Sequence, residues 1–264
     1  MNDNDLVRID SETAKGGFAN ERAIAEKFDH WKKDKEAQKW LKIMDYKLEE
    51  IEKVEAVILQ GYKSDIQVKV IVTLKKAISV QNLSIKKANS DADYNQIDKR
   101  WVRDYIEMWN IPENIVNLLE IFCGKNSPKQ LLKEGKMTEQ KYKSLRDKRR
   151  FFMDEFESKD KKLIIDFFIK NKLLVITDIL KGRGQLSADW MLVTKYDRKK
   201  DGTTWVLADI NKAMSIFGEG DVKISPRGSI SIGRINLQRK GGDGGRETGN
   251  MLQFKIKPCD LFRY

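Results

Sequence analysis

Gly61-Tyr62-Lys63-Ser64-Asp65 leads into the β-rich run Ile66 to Leu74, which breaks at Lys75-Lys76-Ala77 and returns as Ile78 to Lys86, closing on Ser84-Ile85-Lys86. With Val57-Ile58-Leu59 just upstream, the pattern predicts a β-hairpin: runs of β-branched apolar residues around a short polar break where the chain turns back. Such a hairpin brings Asp65, at the head of one strand, beside Lys86 on its neighbour. A carboxylate and an ammonium so placed are the layout of a metal-dependent phosphodiesterase site. The first holds a divalent cation against the scissile phosphate, and the second orients the attacking water or meets the developing charge. Lys69 is excluded by geometry, because four residues along one strand separate it from Asp65 by about 13 Å. On the hairpin alone, Asp65 and Lys86 serve equally well as solvated positions on a surface turn.

The composition points to a polyanionic partner. The 264 residues carry 51 Lys and Arg against 40 Asp and Glu, a net charge of +11. Such a surplus concentrates phosphate backbones near the surface and supplies sequence-independent affinity through counterion release; a solvated basic surface without a partner is the alternative. No run of about eighteen apolar residues is present to span a bilayer. The opening Met1-Asn2-Asp3-Asn4-Asp5 is too acidic and polar for a signal peptide, so no membrane partner is expected. Two cysteines, Cys123 and Cys259, and one histidine, His30, cannot furnish a zinc finger or a histidine-based nuclease motif. Cys123, after the apolar Leu118 to Phe122, reads as a buried free thiol, and both cysteines fit a reducing cytoplasm. Any metal is then a hard cation held by oxygen, with Mg²⁺ the default.

Along the chain, three regions are expected. Residues 1–124 form a catalytic lobe, with helical spacing at Phe18, Ile24, Ala25 and Phe28, at Trp40, Leu41, Leu48 and Ile51, and at Ile97, Trp101, Tyr105 and Met108, and a further helix over Ile111 to Phe122. Residues 125–172 form a helical bridge, with one long helix over Glu139 to Phe156 that carries Lys148-Arg149-Arg150, and another over Lys161 to Asn171. Residues 173–264 form a β-rich lobe, its strands at Leu173 to Ile176, Trp190 to Thr194, Thr204 to Leu207, Val222 to Ser225, Ser229 to Leu237 and Met251 to Ile256. There Gln238-Arg239-Lys240, the loop Gly241 to Glu247 and Gln253-Phe254-Lys255 make a hairpin. Gln253 and Lys255 share a face by strand alternation and suit the acceptors of guanine in the major groove, or simply meet water.

The order of these segments carries a family resemblance. Ala14-Lys15-Gly16-Gly17-Phe18-Ala19-Asn20-Glu21, Gly61 to Ile66, Asn95-Gln96-Ile97-Asp98-Lys99, Lys148-Arg149-Arg150, Thr177 to Gly184, Ser225-Pro226-Arg227-Gly228-Ser229-Ile230, Gln238 to Asp243, Arg246-Glu247-Thr248 and Asn250 to Ile256 resemble the HinP-type restriction endonucleases, type II enzymes that cut GCGC and are related in fold to MspI. The likeness runs from residue 10 to residue 262, in one order.

The resemblance implies an α/β (α+β) PD-(D/E)XK nuclease fold, a mixed sheet flanked by helices, with the second β-rich lobe recognising DNA. It implies Mg²⁺-dependent cleavage of double-stranded DNA at a short GC-rich site, GCGC or a close relative. Asp65 and Lys86 map onto the catalytic pair, and the intervening acidic position falls on Ser84, where HinP-type enzymes carry a glutamine. Serine is shorter than either and reaches a metal only through water. The Ile85 carbonyl and Glu21 are candidates to complete the metal shell beside Asp65; Glu21 reads equally as a solvent-facing helix residue. Tyr94 and Gln96 are candidates to enter the minor groove, with Asn95 as a helix cap. Arg227, Arg239, Lys240, Arg246, Gln253 and Lys255 fall in the major-groove surface, while Arg149, Arg150 and Arg183 bind phosphates or brace the fold. A cognate DNA methyltransferase is the implied genetic partner, a monomer or weak dimer the implied state, and the cytoplasm of a bacterium or archaeon the implied location. Two other readings stand beside this one: a sequence-specific DNA-binding protein that keeps the fold but has lost the metal site at Ser84, and a repair or structure-specific nuclease.

Overall fold

The computed structural model describes residues 3–59, 67–75, 77–197, 201–240 and 251–264, with side chains for all of these but 3–15 and 67. The fold is mixed α/β, with two five-stranded sheets among the described residues. The chain groups into two compact units, each drawn from non-consecutive stretches, whereas the sequence reading drew consecutive boundaries at 124 and 172.

One unit comprises Ile9–Asn95, Leu180–Ile216 and Lys257–Tyr264. Its strands are β1 (Ile51–Leu59), β2 (Gln67–Leu74), β3 (Ala77–Ala88), β5 (Trp190–Asp197) and β6 (Gly202–Asp209), in the order β1-β2-β3-β5-β6. The expected hairpin is present: β2 and β3 run antiparallel with Gln67 opposite Ser84 and Leu74 opposite Ala77. β5 joins β3 in parallel, with Lys86 opposite Val193. Helices α1 (Asp3–Asp29) and α2 (Lys35–Ile43) cover one face. Ile24, Ala25 and Phe28 of α1, one stripe at helical spacing, pack with Trp40 and Leu41 against Val68, Val70, Leu83, Ile85 and Leu192. Trp40, fully buried, lies 5.3 Å from the Phe28 ring and meets Trp205 edge-on. Asp34 caps α2 by accepting from the Glu36 and Ala37 N–H groups. The helical pattern read through Ile51 ends earlier, since Ile51 opens β1.

The other unit comprises Met1–Arg8, Gln96–Ile179 and Phe217–Ile256. Its sheet takes β4 (Asn95–Trp101), β7 (Val222–Ile224), β8 (Ile230–Ile232), β9 (Ile235–Arg239) and β10 (Met251–Ile256), in the order β4-β10-β9-β8-β7. Its helices include α3 (Val102–Trp109), α4 (Glu113–Cys123), α5 (Pro128–Lys133), α6 (Glu139–Ser144), α7 (Ser158–Lys170) and α8 (Lys172–Leu180). Tyr105 stacks on Trp109 at 4.9 Å and both meet Phe254 of β10 edge-on.

Four sequence expectations are corrected. Ile97 and Trp101 belong to β4, not to the helix of Tyr105 and Met108; an i, i+4 apolar pair fits either period, and pairing beside β10 decides for the strand. Leu173 to Ile176 lies in α8, where Val175, Ile176, Ile179 and Leu180 are buried at helical spacing while Leu173 and Leu174 are exposed. The long helix over Glu139 to Phe156 stops at Ser144. There Lys148 Nζ donates to the Tyr142, Lys143 and Leu145 carbonyls, and the Asp147 side chain accepts the Arg149 N–H in a competing turn. Finally, Ser229 to Leu237 is two strands. Gly233, at φ 59°, makes the turn between them, and a Cβ there would stand 2.7 Å from the Gly218 carbonyl.

Candidate active site and nucleic-acid surface

Ser84, Ile85 and Lys86 all lie on β3 and are all buried, at 5, 3 and 4 % exposure. Alternation places Ser84 and Lys86 on one face and Ile85 on the other, against the helices. Glu21, buried on α1, extends the stripe of Ile24, Ala25 and Phe28 and so stands on the Ile85 side. The neighbouring Asn20 confirms that docking, its side-chain oxygen accepting from Thr194 Oγ1 of β5 at 2.9 Å. Glu21 is thus a buried carboxylate rather than a solvent-facing one. Asp65 and Arg246 lie outside the described residues, which contain no group of three or more His, Cys, Asp or Glu placed to hold a metal. Both cysteines are free and buried, and burial first of all pushes each thiol up to about 11, so neither offers a thiolate.

In the same unit, Tyr94 is exposed, with the Lys257 ammonium 5.0 Å from its ring centroid. Asn95 caps no helix: its amide donates to the Lys87 carbonyl at 2.7 Å and ties the loop after β3 back to that strand. Arg183 is exposed ahead of the short 3-10 turn Gly184–Leu186.

In the other unit, three arginines converge on Asp147. Its carboxylate meets Arg149 Nε at 2.9 Å, Arg150 Nε at 3.6 Å and Arg239 Nη1 at 3.8 Å. Arg149 projects outward, while Arg150 and Arg239 are largely buried, Arg150 lying 4.1 Å from the Phe152 ring centroid. Burial lowers the pKa of both inner guanidiniums, and for Arg150 the charge of Arg239 adds to this, with Asp147 opposing. Arg227 is exposed in the turn between β7 and β8, and Lys240 follows β9. On β10, Gln253 is buried opposite Gln238 and donates its amide to the Arg239 carbonyl at 3.3 Å; Lys255, opposite Asn236, is half-buried. Gln96 lies on β4, sharing a face with Asp98 and Arg100.

Asp147 was missed in the sequence, although an Asp two residues before an arginine pair is an Asx-turn signal. Burial raises its pKa, but the hydrogen bonds from Arg149 and the charges of Arg149 and Arg150 outweigh this and hold it below the ordinary carboxylate value. A depressed carboxylate contributes stability that is present above its unfolded pKa and lost as pH falls through its folded pKa. Asp147→Asn is therefore expected to shrink the stability difference between neutral pH and about pH 3. Urea unfolding at both values measures it, and an unchanged difference would show that the cluster does not hold the fold.

The family model of the R.HinP1I restriction endonuclease matches residues 44–262. The chain belongs to that family. Membership makes it a type II restriction endonuclease, a site-specific deoxyribonuclease. The matched stretch takes in the whole β2–β3 hairpin, the Asp147 cluster and the β9–β10 pair of this R.HinP1I-family chain. Among solved structures, restriction endonuclease MspI in complex with its cognate DNA is similar in fold, at a TM-score of 0.58 and 14% identity, over 90% of this chain and 88% of that one. No curated protein matches the sequence. No described helix is long and apolar enough to cross a membrane.

Proposed function

We propose that the protein hydrolyses phosphodiester bonds of double-stranded DNA at a short GC-rich site, GCGC or a close relative, in a Mg²⁺-dependent PD-(D/E)XK site formed by Asp65, Ser84 and Lys86. The carrying observation is the β2–β3 ladder. Gln67 pairs with Ser84, Asp65 precedes Gln67 by two residues in the sequence, and Lys86 follows Ser84 by two. Asp65 and Lys86 are thus the proposed catalytic pair.

The candidate metal donors on the Ser84 and Lys86 side are the Asp65 carboxylate, the Ile85 carbonyl and, through water, the Ser84 hydroxyl; the Glu21 carboxylate, buried on the opposite side of the sheet, is set apart from them. All are hard oxygens, and this chemistry fits Mg²⁺. The bound cation supplies a Lewis acid at the phosphate and a water of lowered pKa. Lys86 acts from the interior of the sheet, where its charge is less screened than at the surface and favours an anionic transition state. Ser84 adds no charge, so the donor charge rests on Asp65.

Tyr94 and Gln96 are proposed for the minor groove. Arg227, Arg239, Lys240, Arg246, Gln253 and Lys255 are proposed for the major-groove surface, and Arg149, Arg150 and Arg183 for phosphates. Of these, Arg150 and Arg239 are largely buried beside Asp147 and are proposed to brace that carboxylate, which holds the outward Arg149, rather than to meet DNA themselves. A cognate methyltransferase, a cytoplasmic location and a monomeric or weakly dimeric state belong to the same reading.

Digestion of a sequenced plasmid with Mg²⁺ tests it: discrete fragments with one shared end sequence are expected. Specific retention without cutting would select a non-catalytic DNA-binding protein instead, and cuts confined to irregular DNA a structure-specific nuclease.

Reading and holding separate by competition binding on uncleavable duplexes. Lys255→Ala is expected to weaken the cognate duplex by about 1–3 kcal/mol while sparing random DNA, and Arg149→Ala to weaken both alike. Equal losses on both duplexes for Lys255→Ala would remove β10 from the reading surface.

A further inference from the structure

Asn82 shares the face of β3 that carries Ser84 and Lys86, and at 7 % exposure it is buried with them. Its surroundings fix its orientation. Nδ2 donates to the Gln185 and Ser187 carbonyls at 3.3 and 3.0 Å; both partners are acceptors, so the amide cannot be turned over. The backbone is pinned as well: the Asn82 N–H donates to the Asp189 carboxylate at 2.8 Å, and the Asn82 carbonyl accepts the Asp189 N–H at 2.8 Å. Oδ1 is left as a buried acceptor that takes no hydrogen bond from any described residue.

An unmet buried carbonyl oxygen costs about 1–3 kcal/mol, and ordered water is the usual remedy in a polar setting. Alternate residues on a strand stand about 6.6 Å apart, a span that one water closes between two short polar side chains. Ser84 is the next residue on this face, and its side chain is shorter than the glutamine or glutamate that the proposed nuclease motif takes there.

We propose that Asn82 is a positioning residue of the cleavage site. Its Oδ1 accepts from a water that also hydrogen-bonds Ser84 Oγ, and this water fills the volume that a longer side chain at position 84 would occupy. Asn82 and Ser84 together then present one water-borne oxygen toward the cation, in place of a single amide or carboxylate. The proposal rests on the metal reading of Asp65 and Ser84.

The test is a double-mutant cycle read by calorimetric titration of Mg²⁺ in the presence of uncleavable duplex. Asn82→Ala is expected to lower Mg²⁺ affinity about tenfold in the parent protein, as loss of an outer-shell partner does. In a Ser84→Gln background, where the side chain replaces the water, Asn82→Ala is expected to change affinity less than about twofold. Equal losses in both backgrounds would mean that Asn82 only holds the 185–187 turn, and no loss in either would also overturn the proposal. Mg²⁺ affinity unchanged by Asp65→Ala would overturn the metal reading and this proposal with it; an Asp65-dependent affinity with an additive Asn82 effect overturns this proposal alone. Should Asn82→Ala fail to fold, a high-resolution crystal structure of the parent protein decides. A water within about 3.2 Å of both Asn82 Oδ1 and Ser84 Oγ supports the assignment, and its absence overturns it.

Discussion

Asp65→Ala and Lys86→Ala are each expected to lower the rate of duplex cleavage by roughly 10²–10³-fold or more, with the protein still folded and still bound to its site. In the proposed site Asp65 bears the charge that would anchor the cation, and neither Ser84 nor the Ile85 carbonyl brings another. Lys86 is a buried ammonium on the same strand face as Ser84, so its loss removes positive charge from a setting where water cannot replace it. Lys69→Ala is the control. It lies on β2 opposite Asn82 of β3, two rungs from the pair of Gln67 and Ser84, and its removal is expected to leave cleavage within a few-fold of the parent rate. Single-turnover cleavage with saturating enzyme measures all three without interference from product release. A Lys69 variant as inactive as the Lys86 variant would reverse the assignment.

Asp98→Ala is expected to cost about 3–5 kcal/mol of stability, the largest loss foreseen for a single polar residue. Asp98 is 1 % exposed on β4 and accepts from the Tyr105 hydroxyl at 2.6 Å and from Arg100 Nε at 3.1 Å. Burial first, then the Asp98 charge, raises the Tyr105 pKa well above its ordinary value, so the phenol stays protonated and donates. Removing the carboxylate strands a buried hydroxyl and a half-buried guanidinium together. Tyr105→Phe leaves the pair of Asp98 and Arg100 in place and is expected to cost only about 1 kcal/mol. Urea unfolding with an unchanged m-value compares them; a loss below about 1 kcal/mol for Asp98→Ala would mean that the network is not a fixed part of the β4–α3 corner.

The β2–β3 hairpin was legible because its signals are local. β-branched runs on either side of Lys75-Lys76-Ala77 set two strands and a turn, and the register that brings Gln67 to Ser84 follows from turning the chain there. The terminal strand Met251–Ile256 was legible for the same reason. Where one apolar pattern fits two periods, the sequence was silent. Ile97 with Trp101 and the run Leu173 to Ile176 took opposite outcomes, strand and helix, against the reading of each, because neighbouring strands and buried helix faces decided them. The arginine run at 148–150 was visible as charge, but not as a turn wound about Asp147, because the helix pattern around it continues and the competing side-chain hydrogen bond leaves only a faint mark.

By itself, then, the sequence determined the strand pair that carries Ser84 and Lys86 and the order of motifs that places the chain in its family. The tertiary structure decided which sheet each later strand joins: β5 and β6 extend the sheet of β1 to β3, while β4 belongs to the sheet of β7 to β10. It also decided that Glu21 is buried on the Ile85 side of the β3 sheet and that Asn82 keeps an unmet oxygen on the Ser84 side. The physical reason is range. Turn formation and alternation are properties of a few consecutive residues, whereas a strand's choice of partner, and the burial of a polar atom, depend on residues a hundred positions away that the local pattern does not encode.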